Sequence, residues 1–158
     1  MRELAATYIY TFSFVVEIGC GDGNFAEILE TRGLKSYIGY DIDGKKILEA
    51  KKKVPTFPFF VCDIFDVYKI LNSADYIVAL EVFEHLNNDI KLIKKIKKDK
   101  KIIFSVPNSP YKKEHKRWFE LEGWKDRYDK FFNFEYIYTI QHPRKKDKRA
   151  FLFIGTKK

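Results

Sequence analysis

Apolar and polar positions are grouped in blocks along the chain. Short apolar runs at residues 15–18, 36–40, 57–62, 76–80 and 102–106 each end at a glycine, an acid or a proline. Runs of this kind predict strands buried on both faces. Between them the spacing becomes helical. Phe25, Ile28 and Leu29 share one face of a helix that Asp22 or Asn24 is placed to cap and Gly33 to end. Asp43 can cap a second helix through Ile47, Leu48 and Ala50, which stops before Pro55. Leu86, Ile90, Ile93 and Ile96 form a third stripe, with Lys91, Lys94, Lys95, Lys97 and Lys98 on the other faces. Strands alternating with amphipathic helices predict an α/β fold with a mostly parallel sheet covered on both sides. Such sheets bind ligands at the carboxyl ends of their strands, where Gly19, Asp41, Asp63 and Glu81 fall on four successive strands.

Beyond Pro110 the alternation changes. Residues 120–130 have helical spacing, 132–140 and 150–156 have the character of strands, and the basic run 144–149 would form a hairpin tip between them. With 158 residues, 46% of them hydrophobic, the chain is globular and of single-domain length, and it shows no linker, repeat or low-complexity block. Cys20 and Cys62 close two strands, which suits reduced thiols in a cytoplasmic protein better than a disulfide or a metal site. The apolar run 4–18 lacks a small-residue cleavage site and is too short to span a bilayer, so no membrane association is expected. The net charge of +8 makes nucleic acid a candidate partner.

The first strand enters the turn Glu17-Ile18-Gly19-Cys20-Gly21-Asp22-Gly23-Asn24. A dinucleotide-binding turn would carry its third glycine at position 24 and no acid facing the pyrophosphate. Asp22 beside a phosphate would add a repulsion of about 4 kcal/mol at 4 Å and an effective dielectric of 20. The acids call for a ligand with a cationic end. This Glu-x-Gly-x-Gly-x-Gly turn resembles motif I of the class I S-adenosylmethionine (SAM)-dependent methyltransferases, whose cofactor carries an ammonium and a sulfonium. The resemblance implies a Rossmann-like three-layer sandwich, with a seven-stranded sheet ending in an antiparallel hairpin. It also implies SAM as cofactor. Asp41 would accept from both ribose hydroxyls and Asp63 from the adenine amino group, with Ile42 and Ile64 as walls for the ring. Glu17, Gly19, Cys20, Gly21 and Glu81 would contact the rest of the cofactor. A buried Glu17 with no cationic partner would be costly, which favours that role. For Asp43 capping comes first.

Residues 81–86, Glu-Val-Phe-Glu-His-Leu, resemble the Glu-x-x-Glu-His signature that follows strand 4 in ubiquinone-pathway O-methyltransferases and in small-RNA 2′-O-methyltransferases. If helical, Glu81, Glu84 and His85 share one face. His85 is then a substrate-side base, a structural histidine, or a metal ligand together with Glu81, Glu84 and His115, as in the RNA enzymes. The oxygen preference of Mg²⁺ and the scarcity of metal among relatives with this signature favour metal-free activity. Basic and aromatic residues interleave at Lys112, Lys113, Lys116, Arg117, Trp118, Phe119, Trp124, Lys125 and Arg127, a composition suited to single-stranded nucleic acid but equally to core tryptophans beneath solvated lysines. About a dozen residues precede the first strand, so the chain is expected to be one methyltransferase domain, residues 1–158, without an N-terminal capping domain. The site would be open, or covered by a partner subunit or a second copy. The expected reaction is O-methylation of a small-molecule acceptor. The alternatives are RNA 2′-O-methylation and a catalytically idle SAM-binding or partner-binding subunit.

Overall fold

Alternate side chains of the central strands enter two separate cores. On β1 (Phe14–Ile18), Val16 and Ile18 face one side of the sheet and Val15 the other. On β4 (Tyr76–Leu80), Ile77 and Ala79 are divided in the same way from Tyr76, Val78 and Leu80. Both faces are therefore covered, and the five residues of β4 are all buried. The computed structural model describes residues 1–109, 115–145 and 147–158.

The remaining strands are β2 (Ser36–Asp41), β3 (Phe59–Val61), β5 (Lys101–Pro107), β6 (Phe132–Gln141) and β7 (Arg149–Lys157). They form one seven-stranded sheet in the order β3-β2-β1-β4-β5-β7-β6. The pairs from β3 to β5 are parallel, whereas β7 runs antiparallel to both β5 and β6. One face carries α1 (Arg2–Ala6), α2 (Asn24–Thr31) and α3 (Gly44–Lys53), whose Ala5, Phe25, Leu29 and Ile47 enter the same core. The other carries α4 (Tyr68–Leu71), α5 (Asp89–Ile93) and α6 (Leu121–Tyr128), through Leu71, Leu92, Ile93, Trp124 and Tyr128. The parallel order reverses between β1 and β4, and that switch point opens the crevice that holds the site.

Several local expectations are corrected. Neither Asp22 nor Asn24 caps α2: the N-cap is Gly23 at φ 80°, while the Asn24 amide donates to Asp22 and Lys53 reaches both. Asp43 does cap α3, accepting from the amides of Lys45 and Lys46. The stripe after β4 is helical for only five residues. Asn72 ends it from outside, its amide donating to Lys95 O at 3.0 Å and its carbonyl accepting from Lys97 N at 2.7 Å. Ile96 is buried all the same, and the five lysines are exposed. The apolar stretch before β1 contains α1, a five-residue helix that the pattern did not predict. Cys62 is half-buried rather than interior, and both cysteines are free.

Candidate functional site

The glycine turn after β1 is shaped by its neighbours. Gly19 has φ 69°, and a Cβ there would lie 2.5 Å from Cγ2 of Val82. The amides of Gly19 and Cys20 donate to Tyr40 O at 2.7 and 3.0 Å, fixing the turn to the end of β2. Gly21, at φ 56°, donates its amide to Oδ2 of Asp41 at 2.8 Å. The other oxygen of Asp41 accepts from Asp43 N at 2.9 Å. Both oxygens keep a second lone pair for a ligand, and the two amides hold the carboxylate in one orientation.

A cavity of about 670 Å³ opens above this turn, within the range of small-molecule sites. Its lining contains every residue that the sequence nominated for the cofactor or as the base: Glu17, Gly19, Cys20, Gly21, Asp41, Ile42, Asp63, Ile64, Glu81 and His85. Glu17 is 2% exposed and accepts the Tyr37 hydroxyl at 2.5 Å. Burial pushes its carboxyl up to about 8, against the pull of the Tyr37 hydrogen bond and of the Arg2 charge. Burial likewise pushes the Cys20 thiol up, which makes it an inert wall rather than a nucleophile. Asp63 is exposed, with Oδ1 fixed by the amide of Phe65 at 2.9 Å. The two isoleucines differ: Ile64 belongs to the core cluster, whereas Ile42 is 73% exposed.

Past the end of β4, residues 81–85 do not form one helix, so Glu81, Glu84 and His85 do not share a helix face. Glu81 takes φ 60°, a left-handed conformation that costs a non-glycine residue about 1–2 kcal/mol. Ser105 on β5 secures it, with the Glu81 amide donating to Ser105 Oγ at 3.0 Å and that hydroxyl donating to Oε1 of Glu81 at 3.2 Å. Residues Phe83–His85 then form a 3-10 turn. This geometry separates the acids: Glu81 lines the cavity, while Glu84 is fully buried behind His85. Ligand atoms of Glu84, His85 and His115 lie within 4.8 Å of one another, and Glu81 is outside that cluster. Glu84 Oε1 is 4.0 Å from His85 Nε2, and the two imidazole rings meet edge to face at 4.7 Å. One carboxylate and two imidazoles at this spacing fit a divalent transition ion.

Part of the basic and aromatic segment is structural. Trp124 is fully buried and donates Nε1–H to Pro107 O at 2.8 Å. Arg117 donates to the carbonyls of Phe83, Leu86 and Asn87 and lies 3.3 Å from Asp89. Arg127 grips Asp89 through two nitrogens, at 2.9 and 2.7 Å. Lys125 pairs with Glu122. Trp118, Phe119 and Lys116 are exposed, and Lys112 and Lys113 lie outside the described residues. Pattern reading missed Arg2, Lys46 and Val82 in the cavity wall and Ser105 behind it. Lys46 follows an aspartate cap and was legible as helix; Arg2 carried no signal, because α1 itself was not foreseen.

Among the described residues no helix is long and apolar enough to cross a membrane. Residues 2–145 match the family model described as a methyltransferase domain. Solved structures of similar fold include a SAM-dependent methyltransferase from Archaeoglobus fulgidus, at 18% identity and TM-score 0.72, covering 99% of this chain and 94% of that one. The N-methyltransferase NodS from Bradyrhizobium japonicum in complex with S-adenosyl-L-homocysteine is similar at 16% identity and TM-score 0.73, covering 99% and 84%. A third is the complex of the Haloferax volcanii Trm112 methyltransferase activator with a candidate methyltransferase, at 16% identity and TM-score 0.76, covering 98% and 87%. With the family model spanning nearly all of it and a glycine turn, Asp41 and Asp63 around one cavity, the chain belongs to the class I SAM-dependent methyltransferases.

Proposed function

We propose that this methyltransferase O-methylates a small-molecule hydroxyl, with His85 as the base. The observation that carries the reading is the position of His85: it closes the cavity wall beside Glu81 and Leu86, with the buried Glu84 carboxylate 4.0 Å behind it. When bound, SAM supplies an electrophilic methyl group on a sulfonium. The chain's own residues bind and orient. Asp41 accepts from the ribose hydroxyls, Asp63 from the adenine amino group, and Glu17 from the ammonium end. His85 takes the acceptor's hydroxyl proton as that oxygen gains the methyl group, and the Glu84 carboxylate favours the imidazolium that results. Ile42, largely exposed, is available to close over the adenine ring.

Two measurements test this. Asp41→Ala should lower SAM affinity at least tenfold in calorimetry while the protein stays folded, because charge-assisted hydrogen bonds contribute about 1.5–3 kcal/mol each. Unchanged affinity would remove Asp41 from the site. Mass spectrometry of metabolite extracts incubated with isotopically labelled SAM should reveal a methylated hydroxyl compound, and His85→Ala should slow its formation by about 10²–10⁴-fold without changing SAM affinity.

A second reading, RNA 2′-O-methylation with a bound divalent ion, is favoured by the cluster of Glu84, His85 and His115. These three residues would hold the ion. Activity that disappears on chelation, returns with Mn²⁺ or Co²⁺, and loses that rescue in Glu84→Ala would favour it over the metal-free reaction. A partner covering the open site is compatible with the exposure of Ile42, Phe60 and Val61 at the ends of β2 and β3. A polypeptide co-purifying in fixed ratio and raising turnover would establish it.

A further inference from the structure

The three most exposed aromatic side chains among the described residues, Phe12 at 99%, Tyr10 at 70% and Tyr136 at 49%, belong to one end of the sheet, opposite the cavity. Phe12 and Tyr10 share the turn before β1, closed by Ser13 N donating to Tyr10 O at 3.0 Å. Register brings Tyr136 to the same side: Tyr76 at the start of β4 pairs with Lys101, Lys101 pairs with Thr156, and two residues away on β7 Ile154 pairs with Tyr136. The Lys101 ammonium lies 5.0 Å from the Tyr10 ring centre and 4.8 Å from that of Tyr76. Tyr8 joins this group to β6, with its ring 5.1 Å from Tyr136 and its hydroxyl hydrogen-bonded to that of Tyr138. We propose that a second copy of the chain packs on this aromatic face across a two-fold axis, forming a dimer whose two cofactor cavities stay open.

Charge selects the occupant. A molecule of net charge +8 repels its own copies, so it can self-associate only where its surface is locally balanced. This face is balanced. Exposed Glu135, in the bulge before Tyr136, is close enough for its charge to be felt at exposed Lys101, and the groove beside Tyr76 carries Asp75 and Asp99 with Lys98 and Lys100. In a two-fold contact each residue meets its complement twice, so one lysine and one glutamate supply two ion pairs between the copies. The area is also sufficient. The exposed parts of Tyr10, Phe12 and Tyr136 equal about two whole aromatic side chains, and with the Lys101 stem and the edge of β6 a two-fold contact reaches about 1,000 Å², where specific interfaces begin. Edge strands are commonly guarded by lysine, proline or shortness. β3 at one edge is three residues long and follows Pro58, whereas the ten residues of β6 at the other contain no lysine and no proline.

Analytical ultracentrifugation of the purified chain over a concentration series tests this. The parent should show a reversible monomer–dimer equilibrium in the micromolar range. Phe12→Lys and Tyr136→Lys should each weaken the dimer about tenfold or more, with thermal unfolding of the monomer unchanged because both side chains face solvent there. Lys101→Glu should weaken it as well, and adding Glu135→Lys to the same chain should restore it. Phe60→Lys, at the opposite edge of the sheet, should leave the equilibrium as it is. A protein that stays monomeric at every concentration overturns the proposal. So does a dimer broken by Phe60→Lys and not by Tyr136→Lys, or a charge exchange that restores nothing. A polypeptide of different sequence that co-purifies with a monomer and is released by Tyr136→Lys would give the face to another partner and overturn the second copy.

Discussion

Glu17 shows how one residue can work against stability while serving the binding role proposed for it. In the unfolded chain it titrates near 4.5, whereas burial raises it to about 8 in the fold. Between those values the folded protein retains a proton that the unfolded chain has lost, so stability falls as pH rises through the window. The upper bound on that loss is on the order of 5 kcal/mol. Glu17→Gln keeps an oxygen to accept from Tyr37 and removes the titration. The variant should gain stability over the parent when urea unfolding is compared at pH 5 and pH 8. A ligand ammonium favours the ionised acid, against Asp41 and the desolvation that favour the neutral form. Cofactor binding at pH 7 should therefore release about one proton, measurable by calorimetry in buffers of different ionisation enthalpy, and the glutamine variant should release none. Equal proton release by both would exclude Glu17 as the ammonium ligand.

At the scale of elements, Asp89 ties α5, α6 and the turn after β4 together. Its fully buried carboxylate receives Arg127 through two nitrogens, the Tyr128 hydroxyl at 2.7 Å, and Arg117 at 3.3 Å. Burial alone would raise its titration, and the bonds from Arg127 and Tyr128 with the charge of Arg117 more than reverse this, holding it below the usual carboxylate range. The stabilisation is complete above the unfolded value near 3.8 and is lost as pH falls through the lower folded value. Asp89→Ala leaves two partly buried arginines facing each other and should cost about 3–5 kcal/mol in denaturant unfolding. Because Arg117 also binds Phe83 and Leu86, the variant should disturb the turn that carries His85 and lower activity more than SAM affinity. A variant as stable as the parent would show that the network contributes nothing net.

For the whole molecule, the charge of +8 is the property that bears on substrate class. Arg117, Arg127 and Trp124 are committed to the fold, and the exposed lysines 91, 94, 95, 97 and 98 cover the outside of α5 and the turns after it. Single-stranded RNA should therefore bind weakly, with dissociation constants above the micromolar range at physiological salt, when labelled RNA is titrated at two salt concentrations. Submicromolar binding with a steep salt dependence, reduced by Lys116→Ala and Trp118→Ala, would make RNA the leading acceptor. Arg117 is unsuitable as a probe of that surface, since its removal would perturb the site from within.

The parallel sheet, the alternation of its elements and the positions of the acids at strand ends were legible because they depend on local rules. A strand buried on both faces must be apolar throughout, and an acid that ends it must serve a ligand or a cap. Hence Gly19, Asp41, Asp63 and Glu81, chosen from spacing and resemblance, converge on one cavity. The Glu-x-x-Glu-His signature was legible as residues, but the condition that would put its acids and histidine on one helix face is not met. Contacts distant in sequence decided that geometry: Ser105 holds Glu81 in the left-handed region, and the Arg117 bonds hold the following turn. Glu84 and His115 meet, and Arg2 joins Glu17 in the wall of one cavity, only because separate elements pack together. No periodicity encodes such meetings, since their energy is gained only when the sheet and both helical layers are assembled.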